Sequence, residues 1–281
     1  MTRTVTAATR LAAVIGDPVR HSLSPVLYNA AFESTGIDWV YVALEVPRGS
    51  GAHAVRSMRT LGISGLSVTM PHKFDVIESC DELTPEAAAL SSVNHLRVED
   101  GKIIGDSTDG AGFLRSLADA NVDVAGMKVL LLGAGGAARA VAAALSQSGA
   151  SVTCAARNAT TATEVAQICG GATAEFESAA DLVADHDMIV NATSIGMQVD
   201  GSSGSRVSPV RAETLRKDLV VVDLVYHPVE TELLGSARAV RAVVVDGLGM
   251  LIHQAGIQFE HWTGVNAPIA IMRSAALMYL G

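Results

Sequence analysis

The stretch "MKVLLLGAGGAARAVAAALSQSGASVTCAAR", residues 127–157, limits what this chain can fold into more than any other. An apolar run of strand length meets a glycine turn. An alanine-rich run of helical length follows, then a glycine stop and a second β-prone run. Gly133, Gly135 and Ala138 fall in the G-x-G-x-x-G/A spacing. In that pattern the first glycine permits the tight turn and the second lets backbone approach a pyrophosphate, while the small third residue lets helix and strand pack closely. The helix N-terminus offers free N–H groups to phosphate oxygens. Placed between a strand and a helix, the motif predicts a dinucleotide-binding unit of Rossmann type.

The next strand ends in "CAARNATT", with Arg157 and no acid between Ser151 and Thr163. An acid there would bind the ribose 2′-hydroxyl of NAD, whereas an arginine suits a 2′-phosphate. The reading favours NADP(H), with NAD(H) not excluded.

Strand-like and helix-like runs alternate from end to end, which predicts a parallel α/β architecture. "RLAAVIG" (10–16), "WVYVALEV" (39–46) and "SGLSVT" (64–69) read as strands. "SPVLYNAAFESTG" (24–36) reads as a helix with Ser24 as N-cap, Pro25 at the first helical position and Gly36 past its end. A second helix runs to Gly62, and Pro71 opens another. "SVNHLRVEDGKIIGD" (92–106) reads as a hairpin turning at Asp100-Gly101. Three further buried strands are expected in 188–193, 219–225 and 242–247. Helices follow Met250, the last one starting at Pro268, and "QVDGSSGSRVSP" (198–209) reads as a surface loop. The expected fold is therefore two α/β domains with a cleft between them. Residues 1–108 plus 248–281 would bind substrate, and 109–247 would form the dinucleotide-binding domain.

Composition narrows the partners. With 29 acids against 20 bases and a net charge of −9, a nucleic-acid or anionic-membrane surface is not expected. Anionic ligands must be held by helix N-termini and single basic side chains. The three cysteines show no CxxC spacing, which suits a reducing compartment and argues against a zinc site or disulfide frame. No uncharged run approaches the length of a membrane span. The expectation is a cytoplasmic protein with a small-molecule substrate, as monomer or homodimer.

Two further motifs carry polar side chains. "HSLSP" (21–25) sets Ser22 and Ser24 on one side of an extended loop beside a helix start, where a small carboxylate is a natural ligand. The same two residues also fit a turn and an N-cap with no ligand. "LSVTMPHK" (66–73) ends a β-rich run with Thr69, Pro71 and Lys73; alone, Lys73 fits a solvated lysine as well as a proton donor.

Read together, "VIGDPVRHSLSP", "GLSVTMPHK", "SVNH", "GDSTDGAGF", "GAGGAARA", "VNATSIGM", "DLVYHPVETELL" and "DGLGMLIHQ" follow one another as in the shikimate dehydrogenase family, which the chain resembles from about residue 11 to about 265. The resemblance implies that Ser22 and Ser24 hold a substrate carboxylate and that Lys73 and Asp109 form a catalytic pair. It places Thr69, Asn94 and Gln254 on ring hydroxyls, with Tyr226 near the carboxylate and nicotinamide. It also implies cofactor contacts at Gly133, Gly135, Gly136, Ala137, Ala138 and Arg157, and at Thr193 and Gly247 in the later motifs. The implied activity is reversible NADPH-dependent reduction of 3-dehydroshikimate to shikimate in aromatic amino acid biosynthesis, with the lysine giving its proton to the carbonyl oxygen.

The chain departs from the family pattern at Tyr28 (often His), Ser67 (often Asn), His95 (often Thr), Ser107 (often Asn) and Thr161 (often a second basic residue). The first four lie near substrate positions and leave open a quinate or aminated-ring substrate. A non-catalytic ligand sensor is the alternative of another class, and the presence of Lys73, Asp109, Asn94 and Gln254 together argues against it. No GxSxG, HExxH or Cys/His cluster is present, so neither a nucleophile-elbow hydrolase nor a metal is expected. His21, His72, His253 and His261 read as surface or supporting residues.

Overall fold

The computed structural model describes residues 4–198 and 207–281. The chain divides into two compact units, one of residues 1–108 and 254–281, the other of residues 109–253. The second division falls six residues beyond the expected 247, inside one continuous helix, Gly247–Thr263, where helical periodicity gives no boundary signal.

The first unit starts with β1 (Arg10–Gly16), α1 (Ser24–Thr35), β2 (Trp39–Glu45), α2 (Gly51–Leu61) and β3 (Ile63–Val68). Then come β4 (Glu82–Leu83), α3 (Pro85–Leu90), β5 (His95–Glu99) and β6 (Lys102–Asp106). Its six-stranded sheet has the order β2-β1-β3-β5-β6-β4. The sheet is mixed rather than parallel throughout: β1 pairs β2 and β3 in parallel, but β5 is antiparallel to both β3 and β6. The reason is the hairpin. Asp100 (φ 49°) and Gly101 (φ 78°) both take left-handed conformations, as a two-residue turn of matching twist requires.

Two expectations about helix starts need correction. Leu23 rather than Ser24 is the N-cap of α1, because Leu23 is already helical (φ −78°, ψ −10°) and its carbonyl accepts the N–H groups of Val26 and Leu27. Ser24 is thereby buried as the first helical residue. No α-helix opens at Pro71. Residues 70–76 form successive turns, joined by a cis Met70–Pro71 bond and closed by a short 3₁₀ turn at Ile77–Ser79. His72, fully buried rather than superficial, ties these turns to the Val46 carbonyl through Nε2 at 2.8 Å and faces Asp75 through Nδ1 at 3.2 Å. The His72–Val46 contact joins residues 26 apart, so this tie is tertiary rather than local.

The second unit runs α4 (Asp109–Asp119), β7 (Lys128–Leu132), α5 (Gly136–Gln147), β8 (Ser151–Ala156), α6 (Ala159–Cys169), β9 (Ala172–Glu175) and α7 (Ala179–Leu182). It continues with β10 (Met188–Asn191), β11 (Val220–Asp223), α8 (Glu232–Ala239), β12 (Val243–Val245) and the first part of α9 (Gly247–Thr263). The rest of α9 and α10 (Ile269–Leu280) belong to the first unit. All neighbouring strands of the second sheet are parallel, in the order β12-β11-β10-β7-β8-β9. That is the doubly wound order, whose direction reverses between β7 and β10; ligands of such sheets bind beyond the strand ends at this switch point. Val129 and Leu131 of β7 bury into one apolar cluster while Leu130 and Leu132 bury into another, so helices cover both faces. α5 packs closely on the sheet through small residues: Ala138, Val141 and Ala142 are fully buried in the cluster that holds Val129 and Leu131. Residues 199–206 of the expected surface loop lie outside the described residues. Among the described residues, no helix is long and apolar enough to cross a membrane.

Candidate active site

In the first unit, a network of polar side chains joins four of the eight substrate residues expected from the sequence, Ser22, Ser24, Asn94 and Gln254. Its anchor is Asn94, at the entry to β5 and almost fully buried. The Asn94 side-chain carbonyl accepts the Thr108 backbone N–H (2.9 Å), while its amide donates to Thr108 Oγ1 (3.1 Å) and Gln254 Oε1 (3.3 Å). Main-chain bonds place two more residues beside it. The Val93 N–H donates to the Lys73 carbonyl (2.8 Å), and the Val68 N–H, next to Thr69, donates to the Asn94 carbonyl (2.8 Å). Thr69 itself donates its N–H to Ile15 at the end of β1 (3.0 Å). The residues of "VTMPHK" thus face Asn94 because β3 ends against β5.

The hub of the network is a residue that the sequence reading missed. Gln258, on α9 and almost fully buried, uses both ends of its amide. Its Nε2 donates to Thr108 Oγ1 (3.0 Å) and Gln254 Oε1 (2.8 Å). Its Oε1 accepts from the Tyr28 hydroxyl (2.9 Å) and from Ser67 Oγ (2.6 Å). Ser67 in turn accepts from the Tyr41 hydroxyl (2.6 Å), which also lies against the Ser24 hydroxyl. Ser22 Oγ accepts the Ser24 backbone N–H at 3.3 Å. The serine pair is therefore connected through Tyr41, Ser67 and Gln258 to Gln254 and Asn94. Tyr28 and Ser67, two of the departures from the family pattern, are joined through one glutamine rather than being independent changes. Burial pushes the Tyr28 phenol up, with Tyr41 beside it adding to the effect, and burial likewise pushes the Tyr41 phenol up. Both remain protonated donors at neutral pH.

Gln258→Leu should therefore strip the Tyr28 and Ser67 hydroxyls of their shared acceptor and cost about 1–3 kcal/mol, since a buried polar group left unsatisfied bears its desolvation penalty. Urea unfolding checks this, with a lower midpoint at unchanged slope as the expected result. An unaltered midpoint would mean that the network is not cohesive.

In the second unit, a cleft of about 440 Å³ opens beyond the ends of β7, β8 and β10. Gly133, Gly135, Arg157 and Thr193 line it, together with Asn158, Thr161, Ser194 and Ile195. Gly133 has φ +104°, and a Cβ there would sit 2.9 Å from the Ala192 carbonyl oxygen, so only glycine fits. At Gly135 a Cβ would meet nothing within 4 Å, so its bare backbone faces open space beside the start of α5. A dinucleotide pyrophosphate needs such a cradle, and the residues present fit one. Thr193 is held by Asn191, whose Oδ1 accepts from Thr193 Oγ1 (2.7 Å) and the Thr193 N–H (3.1 Å). Asn191 Nδ2 donates to buried Asp223 (2.9 Å), which also accepts from Thr231 Oγ1 (2.7 Å). Burial raises the Asp223 carboxyl, against the lowering effect of these bonds. Asn158 caps α6 by accepting the Thr161 N–H, which leaves Arg157 as the exposed cation at the end of β8.

The remaining expected residues are not among those lining this cleft. Gly136 and Ala137 form the first turn of α5, and Ala138 is core. Gly247 opens α9 with its backbone against the Leu224 carbonyl. Tyr226 is partly buried between β11 and α8, and burial raises its phenol. Asp109, buried, is the first residue of α4 and opens the second unit.

A doubly wound unit with a glycine cradle and a basic residue after its second strand, in one chain with a unit that carries a buried polar network, is the make-up of a nicotinamide-dependent oxidoreductase. Models of the shikimate dehydrogenase substrate-binding domain, of shikimate / quinate 5-dehydrogenase and of the shikimate 5'-dehydrogenase C-terminal domain match residues 14–96, 116–250 and 247–277. The chain is 42% identical to the shikimate dehydrogenase (NADP(+)) of Methanopyrus kandleri, covering 98% of each chain. Among solved structures, a shikimate dehydrogenase in complex with NADP+ superposes with a TM-score of 0.91 at 37% identity, over 99% of this chain and 98% of that one. The Thermus thermophilus enzyme in complex with NADP(H) and shikimate gives 0.86 at 33%, over 96% and 99%. The chain belongs to the shikimate dehydrogenase family.

Proposed function

We propose that this chain reduces 3-dehydroshikimate to shikimate with NADPH, and catalyses the reverse oxidation with NADP+, using Lys73 and Asp109 to handle the proton. When bound, the dinucleotide supplies or accepts the hydride. The chain's own residues do the rest. Ser22 and Ser24 bind the ring carboxylate by hydroxyl donation. Thr69, Asn94 and Gln254 bind ring hydroxyls, and a site built from several polar partners rejects analogues that leave one of them unpaired. The Lys73 ammonium gives its proton to the oxygen of the carbonyl as hydride reaches the carbon, and its amine takes that proton back in the oxidation. Asp109 orients the ammonium and stabilises its charge. Tyr226 would contact the carboxylate and nicotinamide. Gly133, Gly135, Gly136, Ala137 and Ala138 form the turn and helix start that would hold the pyrophosphate, while Thr193 and Gly247 would serve the nicotinamide half and Arg157 the 2′-phosphate.

The observation that carries this reading is the amide pair Asn94–Gln254, bound together and to Thr108 immediately beside the Lys73 main chain. Such a pair presents fixed donors and acceptors to a ring with several hydroxyls. The chain works in the cytoplasm as a monomer or homodimer, and a net charge of −9 gives it no nucleic-acid surface.

Purified protein assayed with NADP+ or NAD+ against shikimate and quinate tests the assignment. The expected result is a kcat/KM at least tenfold higher for shikimate with NADP+ than for any other combination. Preferential turnover of quinate with NAD+ would move the chain to the quinate branch, and shikimate binding with no hydride transfer would make it a sensor.

A further inference from the structure

His95 and Asp106, at the open end of the β5–β6 hairpin, meet His261 of α9 on the first unit. His95 and Asp106 are directly paired across β5 and β6, and His261 reaches the same carboxylate from the last turns of α9. The Asp106 Oδ2 atom lies 3.7 Å from His95 Nδ1 and 3.6 Å from His261 Nδ1, too long for full hydrogen bonds. One ligand atom from each residue lies within 4.8 Å of the other two.

Two features of the cluster ask for an explanation. His95 is fully buried, yet neither of its ring nitrogens has a hydrogen-bond partner among the described residues. Buried polar atoms in native proteins are nearly always satisfied, and an exception calls for a cause such as a bound ion. The carboxylate is also preset. Asp106 Oδ1 is occupied by Thr84 Oγ1 and the Ser107 N–H, both at 2.7 Å, which turns Oδ2 toward the two histidines. Supporting bonds of this kind fix a ligand's orientation in metal sites.

We propose that His95, Asp106 and His261 bind a divalent transition metal, zinc by ligand type, which clamps the β5–β6 hairpin to the C-terminal half of α9. Two imidazoles and a carboxylate match zinc's preference, and three protein ligands leave a fourth position for water. Bonds of about 2.0–2.1 Å at tetrahedral angles need ligand atoms roughly 3.4 Å apart, so each histidine Nδ1 has only a few tenths of an ångström to close on Asp106 Oδ2. His261 is 40% exposed and gives an entry path. The opposing charge is Arg97, whose Nη1 lies 3.5 Å from Asp106 Oδ2; its Nε is already paired with Glu99 at 2.6 Å, which can hold the guanidinium when the cation enters. The clamp would fix α9, which carries Gln254 and Gln258, against the hairpin that carries Asn94 and Thr108. Sequence spacing concealed this site because His261, on α9, joins the hairpin pair His95 and Asp106 only through folding.

The test uses tag-free, chelator-dialysed full-length protein titrated with Co²⁺ as a spectroscopic probe and then with Zn²⁺. One equivalent of Co²⁺ should give the visible absorption of a four-coordinate nitrogen/oxygen site, Zn²⁺ should displace it, and Zn²⁺ should raise Tm. Loss of a supporting residue alone weakens metal sites about 10–100-fold, so His261→Ala and Asp106→Asn should each weaken binding by at least about 100-fold. No visible band and no Tm change at saturating metal would overturn the proposal. So would full retention of binding in either variant.

Discussion

Lys73→Ala should lower kcat by about 10²–10⁴-fold, the range that a positioned proton donor contributes, and leave NADPH affinity unchanged. The split follows from where this residue makes its contacts. Its main-chain carbonyl takes the Val93 N–H, and an alanine keeps that bond and with it the position of Asn94. The cofactor cradle is built from the second unit, so cofactor binding is untouched. What disappears is the acid for the carbonyl oxygen. Lys73→Arg should not restore the rate, because a guanidinium does not release its proton near neutral pH. Single-turnover oxidation of NADPH, alongside fluorescence titration of the cofactor, separates the two effects. A variant with near-normal turnover would remove Lys73 from proton transfer.

The second large effect is on cofactor choice. Arg157→Ala should raise the KM for NADPH by about 10–100-fold, as expected for loss of charge-assisted hydrogen bonds worth about 1.5–3 kcal/mol. NADH, lacking the 2′-phosphate, should change by less than about twofold. Arg157 suits this role by position: it is exposed at the rim of the cleft, at the end of β8, while the neighbouring Asn158 is committed to capping α6. With Thr161 standing where a second basic residue is common, Arg157 is the basic side chain among the described residues lining this cleft, which makes the expected loss large. Steady-state kinetics with both cofactors decide the matter; equal losses for NADPH and NADH would exclude a 2′-phosphate contact.

Local signals were enough for much of the fold. β1 and the Asp100-Gly101 hairpin could be read directly, because strand alternation and paired left-handed turn residues are short-range properties. Gly133 was equally legible, since its positive φ follows from the turn chemistry alone. The misses have long-range causes. Pro71 looks like a helix start by sequence, but the buried imidazole of His72 binds Val46 across the fold and the segment stays in turns. β4 and β9 are too short to show a period. Gln258 could not be found from spacing, because its partners Tyr28 and Ser67 are 230 and 191 residues away and an isolated glutamine in an apolar helix carries no motif. The same holds for His95 and His261, which acquire a shared carboxylate only once β5, β6 and α9 pack. Tyr28 and Ser67 read as separate departures from a family pattern until folding joined them through one amide.

The most direct test of the assignment is a crystal structure of this chain with shikimate and NADP+ bound. The ring carboxylate is expected on the Ser22 and Ser24 hydroxyls, with Asn94 and Gln254 on ring hydroxyls. Lys73 Nζ should lie about 2.6–3.2 Å from the oxygen whose carbon loses hydride. A carboxylate bound by Lys73 instead, or a ring turned so that its oxidisable hydroxyl faces away from that amine, would contradict the account.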